Sequence, residues 1–192
     1  MSLGFYFDGT RCMSCKVCQV SCKDRFDLQK PGPKPRRVTL FEKGTFPNTA
    51  MSFLSVSCNH CESPACAANC PTGAMYKDED GTVQHDDEAC IGCQTCVKAC
   101  PYEAPQYVED WNIVTKCDTC RPLREAGELP VCVASCPLRA LDFGEMDDLR
   151  AKYGDGLVSA APFMPAADTT TPNLLMKLRE TSLDGDFHEI TL

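Results

Sequence analysis

The sequence predicts an α+β fold of short helices and β-hairpins organised around its cysteines. Three observations support this prediction. Sixteen cysteines fall into four groups of four along 192 residues, with none left over. Fourteen prolines and twelve glycines interrupt the chain, which is expected to build only a modest hydrophobic core. A C-P-x-x-A pattern recurs at residues 70–74, 100–104 and 136–140, and each copy is expected to lead into a strand.

The spacing within the groups is typical of iron–sulfur ligands. The first and third groups read C-x2-C-x2-C-x3-C, the run of bacterial two-cluster ferredoxins, in which the fourth cysteine ligates the neighbouring cluster. The second and fourth groups insert residues before their third cysteine. Because a cubane uses four thiolates, the set predicts four [4Fe-4S] clusters. By group, the candidate ligands are Cys12, Cys15, Cys18, Cys22; Cys58, Cys61, Cys66, Cys70; Cys90, Cys93, Cys96, Cys100; and Cys117, Cys120, Cys132, Cys136.

Three other uses of cysteine compete with clusters. Structural zinc also binds CxxC pairs, and the fourth group alone would suit it, but the triplets of the first and third groups leave one thiolate that zinc does not use. A disulfide framework is typical of small secreted domains, and the N-terminus lacks the pattern of a secretory leader. Haem attachment requires C-x-x-C-H, which does not occur in the sequence. Clusters are therefore the leading interpretation.

The segments between the groups predict local structure. Residues 30–50 are rich in proline and glycine and surround one short strand near Val38–Phe41. Residues 74–85 predict a hairpin that turns at Asp80-Gly81, and residues 105–116 predict a second hairpin.

The C-terminal quarter contains no cysteine. Residues 145–153 predict a short helix that Gly154 ends. Residues 161–192 show no clear period and are expected to need a partner surface to become ordered.

Several individual side chains also have predicted roles. Trp111 is interpreted as a core residue, and His60 as a hydrogen-bonding loop residue, because its group already holds four thiolates. Arg36-Arg37 is interpreted as a solvated basic stretch. Cations near the first group either offset cluster charge or form a docking face: Lys16, Lys23 and Arg25.

Charge and hydropathy exclude several functions. The formal net charge of −8 argues against a nucleic-acid partner. No stretch approaches the ~18 apolar residues of a membrane span, so membrane attachment is expected only through a partner. No dinucleotide fingerprint follows a strand and no catalytic triad is apparent, so the chain is predicted to be non-catalytic.

The segments CNHCESPACAANCPTGAM, CIGCQTCVKACPYEAPQY and CVASCPLRALDFG resemble the iron–sulfur, electron-transfer (beta) subunit of the dimethyl sulfoxide reductase-type molybdopterin oxidoreductase family. The resemblance covers about residues 4–160 and implies two nested bacterial-ferredoxin-like modules. The implied ranges are residues 1–30 and 111–145 for the outer module, 50–110 for the inner module, 31–49 for a connecting segment and 146–192 for a C-terminal, partner-docking extension.

The resemblance also implies how the ligands are exchanged between groups. From the residues alone, sequential pairing of the first group with the second, and of the third with the fourth, stays open. The nested arrangement instead implies cluster 1 on Cys12, Cys15, Cys18 and Cys136; cluster 2 on Cys22, Cys117, Cys120 and Cys132; cluster 3 on Cys58, Cys61, Cys66 and Cys100; and cluster 4 on Cys70, Cys90, Cys93 and Cys96.

The function implied by the resemblance is a relay of single electrons. One partner is a large catalytic subunit with a molybdenum or tungsten bis-pterin centre, and the other is a quinol-interacting membrane anchor subunit or another redox partner. The complex is expected on the extracytoplasmic face of the membrane after folded co-export, with a cytoplasmic location as the alternative. The alternative functions are a free polyferredoxin, an equivalent subunit of a hydrogenase or formate dehydrogenase-like complex, and a structural zinc module.

Overall fold

The computed structural model describes residues 2–190 and confirms the α+β class. Its helices are all short, and its strands form small separate sheets. The helices are α1 Val17–Arg25, α2 Ala65–Ala68, α3 Thr95–Ala99, α4 Arg121–Glu125, α5 Val131–Ala134 and α6 Met146–Tyr153. The strands are β1 Leu3–Asp8, β2 Arg37–Thr45, β3 Asn48–Val56, β4 Met75–Lys77, β5 Val83–His85, β6 Gln106–Val108, β7 Ile113–Thr115, β8 Leu141–Glu145, β9 Leu174–Lys177 and β10 His188–Ile190.

The N-terminal strand β1 is the centre of a three-stranded sheet. It pairs antiparallel with β8 and parallel with β9, so that Phe5 lies opposite Leu174 and Phe7 opposite Met176. Phe7 and Met176 are completely buried. The expectation that the C-terminal segment needs a partner surface for order is therefore wrong for β9. β9 has only four residues, and the first three are all buried, so it lacks the alternation that marks a strand in a sequence.

A second sheet holds the segment between the first two cysteine groups. β2 and β3 form an antiparallel hairpin from Arg37 opposite Val56 to Thr45 opposite Asn48, and β10 adds to the other edge of β2. The short strand predicted at residues 38–41 is thus longer, and its partner β3 was not predicted. Polar residues around the turn mask the alternation that marks a strand.

Both predicted hairpins are present. β4 pairs with β5 across the turn that contains Gly81, which has a φ of 79°. β6 pairs with β7 across a single 3-10 turn at Glu109–Trp111. The prediction for Trp111 is wrong, because this side chain lies in the turn and is 43% exposed.

The helices bring distant cysteine groups together. α1 packs against α5 and α2 packs against α3, which joins the first group to the fourth and the second to the third. The predicted helix at the C-terminal side is α6, and it ends at Gly154 as expected. Within residues 2–190, every helix is too short or too polar to cross a bilayer.

Candidate iron–sulfur centres

Each cysteine group opens with the same backbone turn. The second residue after the first cysteine has a positive φ in all four groups: Ser14, His60, Gly92 and Thr119. For a residue other than glycine this conformation costs about 1–3 kcal/mol, so the surroundings must enforce it. The turn directs backbone N–H groups towards sulfur, as Thr119 N–H donates to Cys117 Sγ at 3.4 Å. Such donors stabilise a thiolate.

The C-P-x-x-A repeat supplies a second set of donors. Ala140 N–H donates to Cys136 Sγ at 3.3 Å, and Met75 N–H donates to Cys70 Sγ at 3.4 Å. The alanines of the three copies are all buried: Ala74, Ala104 and Ala140. A small side chain at this position lets the backbone approach the sulfur closely. The repeat is therefore a ligand-supporting turn as well as an exit into a strand.

The first cavity is enclosed by three cysteines of the first group and one of the fourth: Cys12, Cys15, Cys18 and Cys136. It is otherwise walled mainly by apolar side chains such as Phe7, Val38 and Leu141. Besides the Ala140 N–H donor to Cys136, its cysteines have a polar contact between Ser55 Oγ and Cys18 Sγ at 3.4 Å.

The second cavity is lined by three cysteines of the second group and one of the third: Cys58, Cys61, Cys66 and Cys100. Thr170, from the loop before β9, donates through its hydroxyl to Cys61 Sγ at 3.2 Å. This threonine is buried and was not predicted as a site residue. It belongs to the segment without cysteines, where no sequence signal points to a cluster.

His60 lies in the loop between Cys58 and Cys61 and supports that loop. Its Nδ1 accepts a hydrogen bond from Val83 N–H at 3.0 Å, and the ring is completely buried. Burial and the nearby charge of Lys116 lower the pKa of His60 well below its ordinary value. The prediction of a hydrogen-bonding role is confirmed.

We number the ligand sets as the implied clusters, so that the cysteines of the first cavity form the first set and those of the second cavity form the third. The second set is the most deeply buried and joins the first group to the fourth: Cys22, Cys117, Cys120 and Cys132. Burial and then the Cys132 thiol raise the pKa of Cys22 to about 12. Burial and then the Cys22 thiol raise the pKa of Cys117 well above its ordinary value. These thiols are therefore close enough to act on one another electrostatically.

The fourth set is the most open and joins the second group to the third: Cys70, Cys90, Cys93 and Cys96. Burial and then the Cys70 thiol raise the pKa of Cys96 to about 11. Cys93 is exposed, and hydrogen bonding with Thr95 lowers the pKa of its thiol. The resemblance implies the same four sets.

Electrostatic and packing contacts connect the four sets in the order first, second, third and fourth, and we call this order the row. The thiol of Cys132, in the second set, is close enough to raise the pKa of Cys18 in the first. Lys116 donates to Cys117 O at 2.8 Å, and its charge also acts on Cys66 of the third set. Cys66 shares an apolar cluster with Cys96 of the fourth. The two exposed cysteines, Cys15 and Cys93, belong to the first and last sets.

The donor chemistry fits iron–sulfur clusters. All sixteen cysteines have free thiols. Within residues 2–190, no group of three or more His, Cys, Asp or Glu side chains converges closely enough to hold a single metal ion. Two of the four sets instead line cavities, and soft thiolates without oxygen ligands are the donor set that such clusters use.

Among the cations near the first group, the charge of Arg25 counteracts the rise that burial causes in the pKa of Cys120, in line with the expected offset of charge at the ligands. Arg25 forms a bidentate pair with Asp118, at 3.1 and 2.7 Å, and Lys23 donates to backbone carbonyls. The interpretation of Arg36 as solvated is wrong, because this side chain is 1% exposed and lies among the thiols. Nothing adjacent in the sequence distinguishes it from Arg37.

Comparisons with known proteins agree with this chemistry. A family model described as a 4Fe-4S dicluster domain matches residues 49–146, which include the second, third and fourth cysteine groups. The protein is 48% identical over 182 residues to the B subunit of the anaerobic dimethyl sulfoxide reductase of Escherichia coli, covering 91% of this sequence and 87% of that one. It is 46% identical to the protein of the same description from Haemophilus influenzae, covering 95% and 93%. The thiosulfate reductase electron transfer subunit PhsB of Salmonella typhi is 39% identical over 73% of this sequence and 74% of its own length.

Proposed function

The chain belongs to the family of iron–sulfur, electron-transfer subunits of dimethyl sulfoxide reductase-type oxidoreductases, and on that premise we propose that it holds four [4Fe-4S] clusters as a relay for single electrons. The chain is a non-catalytic subunit, as its relatives' names indicate. When bound, each cluster supplies reversible one-electron redox chemistry.

The proposal draws its main support from the mixed composition of the cavities. The first cavity has three cysteines of one group and Cys136 from a group more than a hundred residues away, and the second has three cysteines and Cys100. We therefore assign the ligands as the nested arrangement implies, so that the first to fourth sets hold clusters 1 to 4. The packing of α1 on α5 and of α2 on α3 supports this exchange over sequential pairing.

The same packing supports the proposed modules. Residues 1–30 and 111–145 form the outer module, residues 50–110 the inner module, and residues 31–49 connect them. We further propose that residues 146–192 dock a partner in addition to completing the sheet through β9.

Exposure of the ligands differs along the proposed relay. The cysteines of the second set are all buried, whereas one cysteine of each terminal set, Cys15 or Cys93, is exposed. Partners at the two ends of the row can therefore approach the relay while water is kept from its middle. We propose that these partners are a large molybdenum or tungsten bis-pterin catalytic subunit and a quinol-interacting membrane subunit.

We propose that the complex lies on the extracytoplasmic face of the membrane. Cubane clusters assemble under reducing conditions, so an extracytoplasmic location requires co-export of the folded complex. The chain would then be attached to the membrane through its partners.

Metal analysis of the purified protein tests the cofactor. We expect iron and acid-labile sulfide at about sixteen each per chain, the amount in four cubanes. Stoichiometric zinc without sulfide would overturn the proposal.

Native purification tests the partners. We expect the chain to be recovered with a large subunit that contains molybdenum or tungsten. Recovery of the cluster-loaded chain alone would instead indicate a free polyferredoxin.

A further inference from the structure

Arg36 is a fully buried cation with only neutral hydrogen-bond acceptors. Its side chain is 1% exposed. Its guanidinium donates to Ser55 O and Ser55 Oγ, both at 3.2 Å, and to Ser57 Oγ at 3.0 Å. The guanidinium carbon lies 4.6 Å from the centre of the Phe5 ring.

The charge of Arg36 has no carboxylate partner. Within residues 2–190, no Asp or Glu forms an ion pair with it, and its Nε has no hydrogen-bond acceptor. A guanidinium remains protonated in proteins. Because an uncompensated buried charge is strongly unfavourable, another source of negative charge must lie nearby.

The groups placed to supply this charge are cysteines of two adjacent sets, which become thiolates when they ligate a cluster. Burial lowers the pKa of Arg36, but neighbouring sulfurs outweigh burial and raise it overall: Cys132, Cys18, Cys117 and Cys22. Ser55 Oγ, which accepts from Arg36, also lies 3.4 Å from Cys18 Sγ. A hydrogen-bonded path therefore joins the guanidinium to a ligand of the first set.

We propose that Arg36 is a counter-cation shared by clusters 1 and 2 and that it raises the reduction potentials of both. This inference rests on the proposed function. Each reduction adds one negative charge to a cluster, and a fixed cation inside a low-dielectric core stabilises the reduced form more than the oxidised form. The lack of a carboxylate leaves the guanidinium charge free to act on the sulfurs.

The test uses the complete, cluster-loaded protein and two variants. Arg36→Gln removes the charge and keeps donors for Ser55 and Ser57, whereas Arg36→Lys keeps the charge. Midpoint potentials of the four clusters are measured by EPR-monitored potentiometry with redox mediators. For Arg36→Gln we expect two of the four midpoint potentials to fall by about 59 mV each. For a one-electron couple this shift is a tenfold loss in electron affinity. In the other two clusters of Arg36→Gln, and in all four clusters of Arg36→Lys, the electron affinity should stay within about threefold of wild type.

The results of the two variants distinguish an effect of the Arg36 charge from a packing role. Unchanged potentials in Arg36→Gln, or equal shifts in both variants, would overturn the role of charge. If Arg36→Gln does not assemble its clusters, assembly with wild-type potentials in Arg36→Lys supports the proposal, and failure of both variants shows a packing role instead. Iron and sulfide in the wild-type chain separately test the proposed function, so its failure cannot be confused with failure of this inference.

Discussion

Thr170 Oγ1 donates a hydrogen bond to Cys61 Sγ at 3.2 Å, across 109 residues of chain. The threonine is buried beside the Tyr102 hydroxyl. A hydrogen bond to a ligand sulfur stabilises negative charge on the ligand. The C-terminal segment therefore contributes to the third ligand set although it contains no cysteine.

Replacement of Thr170 by valine is expected to lower the potential of the cluster on Cys61. The substitution keeps the shape of the side chain and removes the donor, so the reduced form loses stabilisation. We expect a fall of tens of millivolts, where about 59 mV would be a tenfold effect for one electron. EPR-monitored potentiometry measures it. Thr170→Ser, which keeps the hydroxyl, is the control, and an equal shift in both variants would assign the effect to packing.

Substitution of the last cysteine in the second and third groups tests ligand exchange. Cys100→Ser should damage the cluster that Cys58, Cys61 and Cys66 hold, because Cys100 lines their cavity. Cys70→Ser should damage the other inner cluster. The EPR signals of the two variants, compared with iron content, show which cluster changes. Loss of the Cys90/Cys93/Cys96 cluster in Cys100→Ser would establish pairing within each group instead.

Truncation of Met176 tests whether β9 belongs to the core. Met176 is completely buried in the central sheet, so Met176→Ala is expected to destabilise the fold by about 2–5 kcal/mol. Lys177→Ala, at the exposed next position of the same strand, should change stability by no more than about 0.5 kcal/mol. The midpoint temperature at which visible cluster absorbance is lost reports both effects. Equal midpoints in the two variants would mean that β9 adds little to stability.

Removal of the clusters is expected to unfold most of the chain. Five cysteines are members of the main apolar core: Cys18, Cys58, Cys117, Cys132 and Cys136. Three of them, Cys18, Cys58 and Cys136, border the cavities. Without clusters, those cavities lose their contents and the core loses contacts. Circular dichroism after treatment with an oxidant and a chelator should show loss of structure. Iron and sulfide should restore it, and restoration by zinc alone would contradict the assignment.

The local features of this protein were predictable because covalent neighbours produce them. The hairpin turn at Gly81 and the end of α6 at Gly154 follow from backbone preferences of single residues. The grouping of cysteines follows from the geometry of a loop that must wrap one cube. The exposure of Trp111 was not predictable, because a turn residue packs only if another element covers it.

The sequence by itself therefore determined the sixteen cysteines, their grouping and the family. The tertiary structure alone decided that β9 completes the sheet of β1, that Thr170 reaches Cys61 and that Arg36 is buried while Arg37 is not. The physical reason is the same in each case. These residues are held by partners distant in the chain, through strand pairing, a hydrogen bond to sulfur and, for Arg36, hydrogen bonds to Ser55 and Ser57, and such partners leave no pattern around the residue itself.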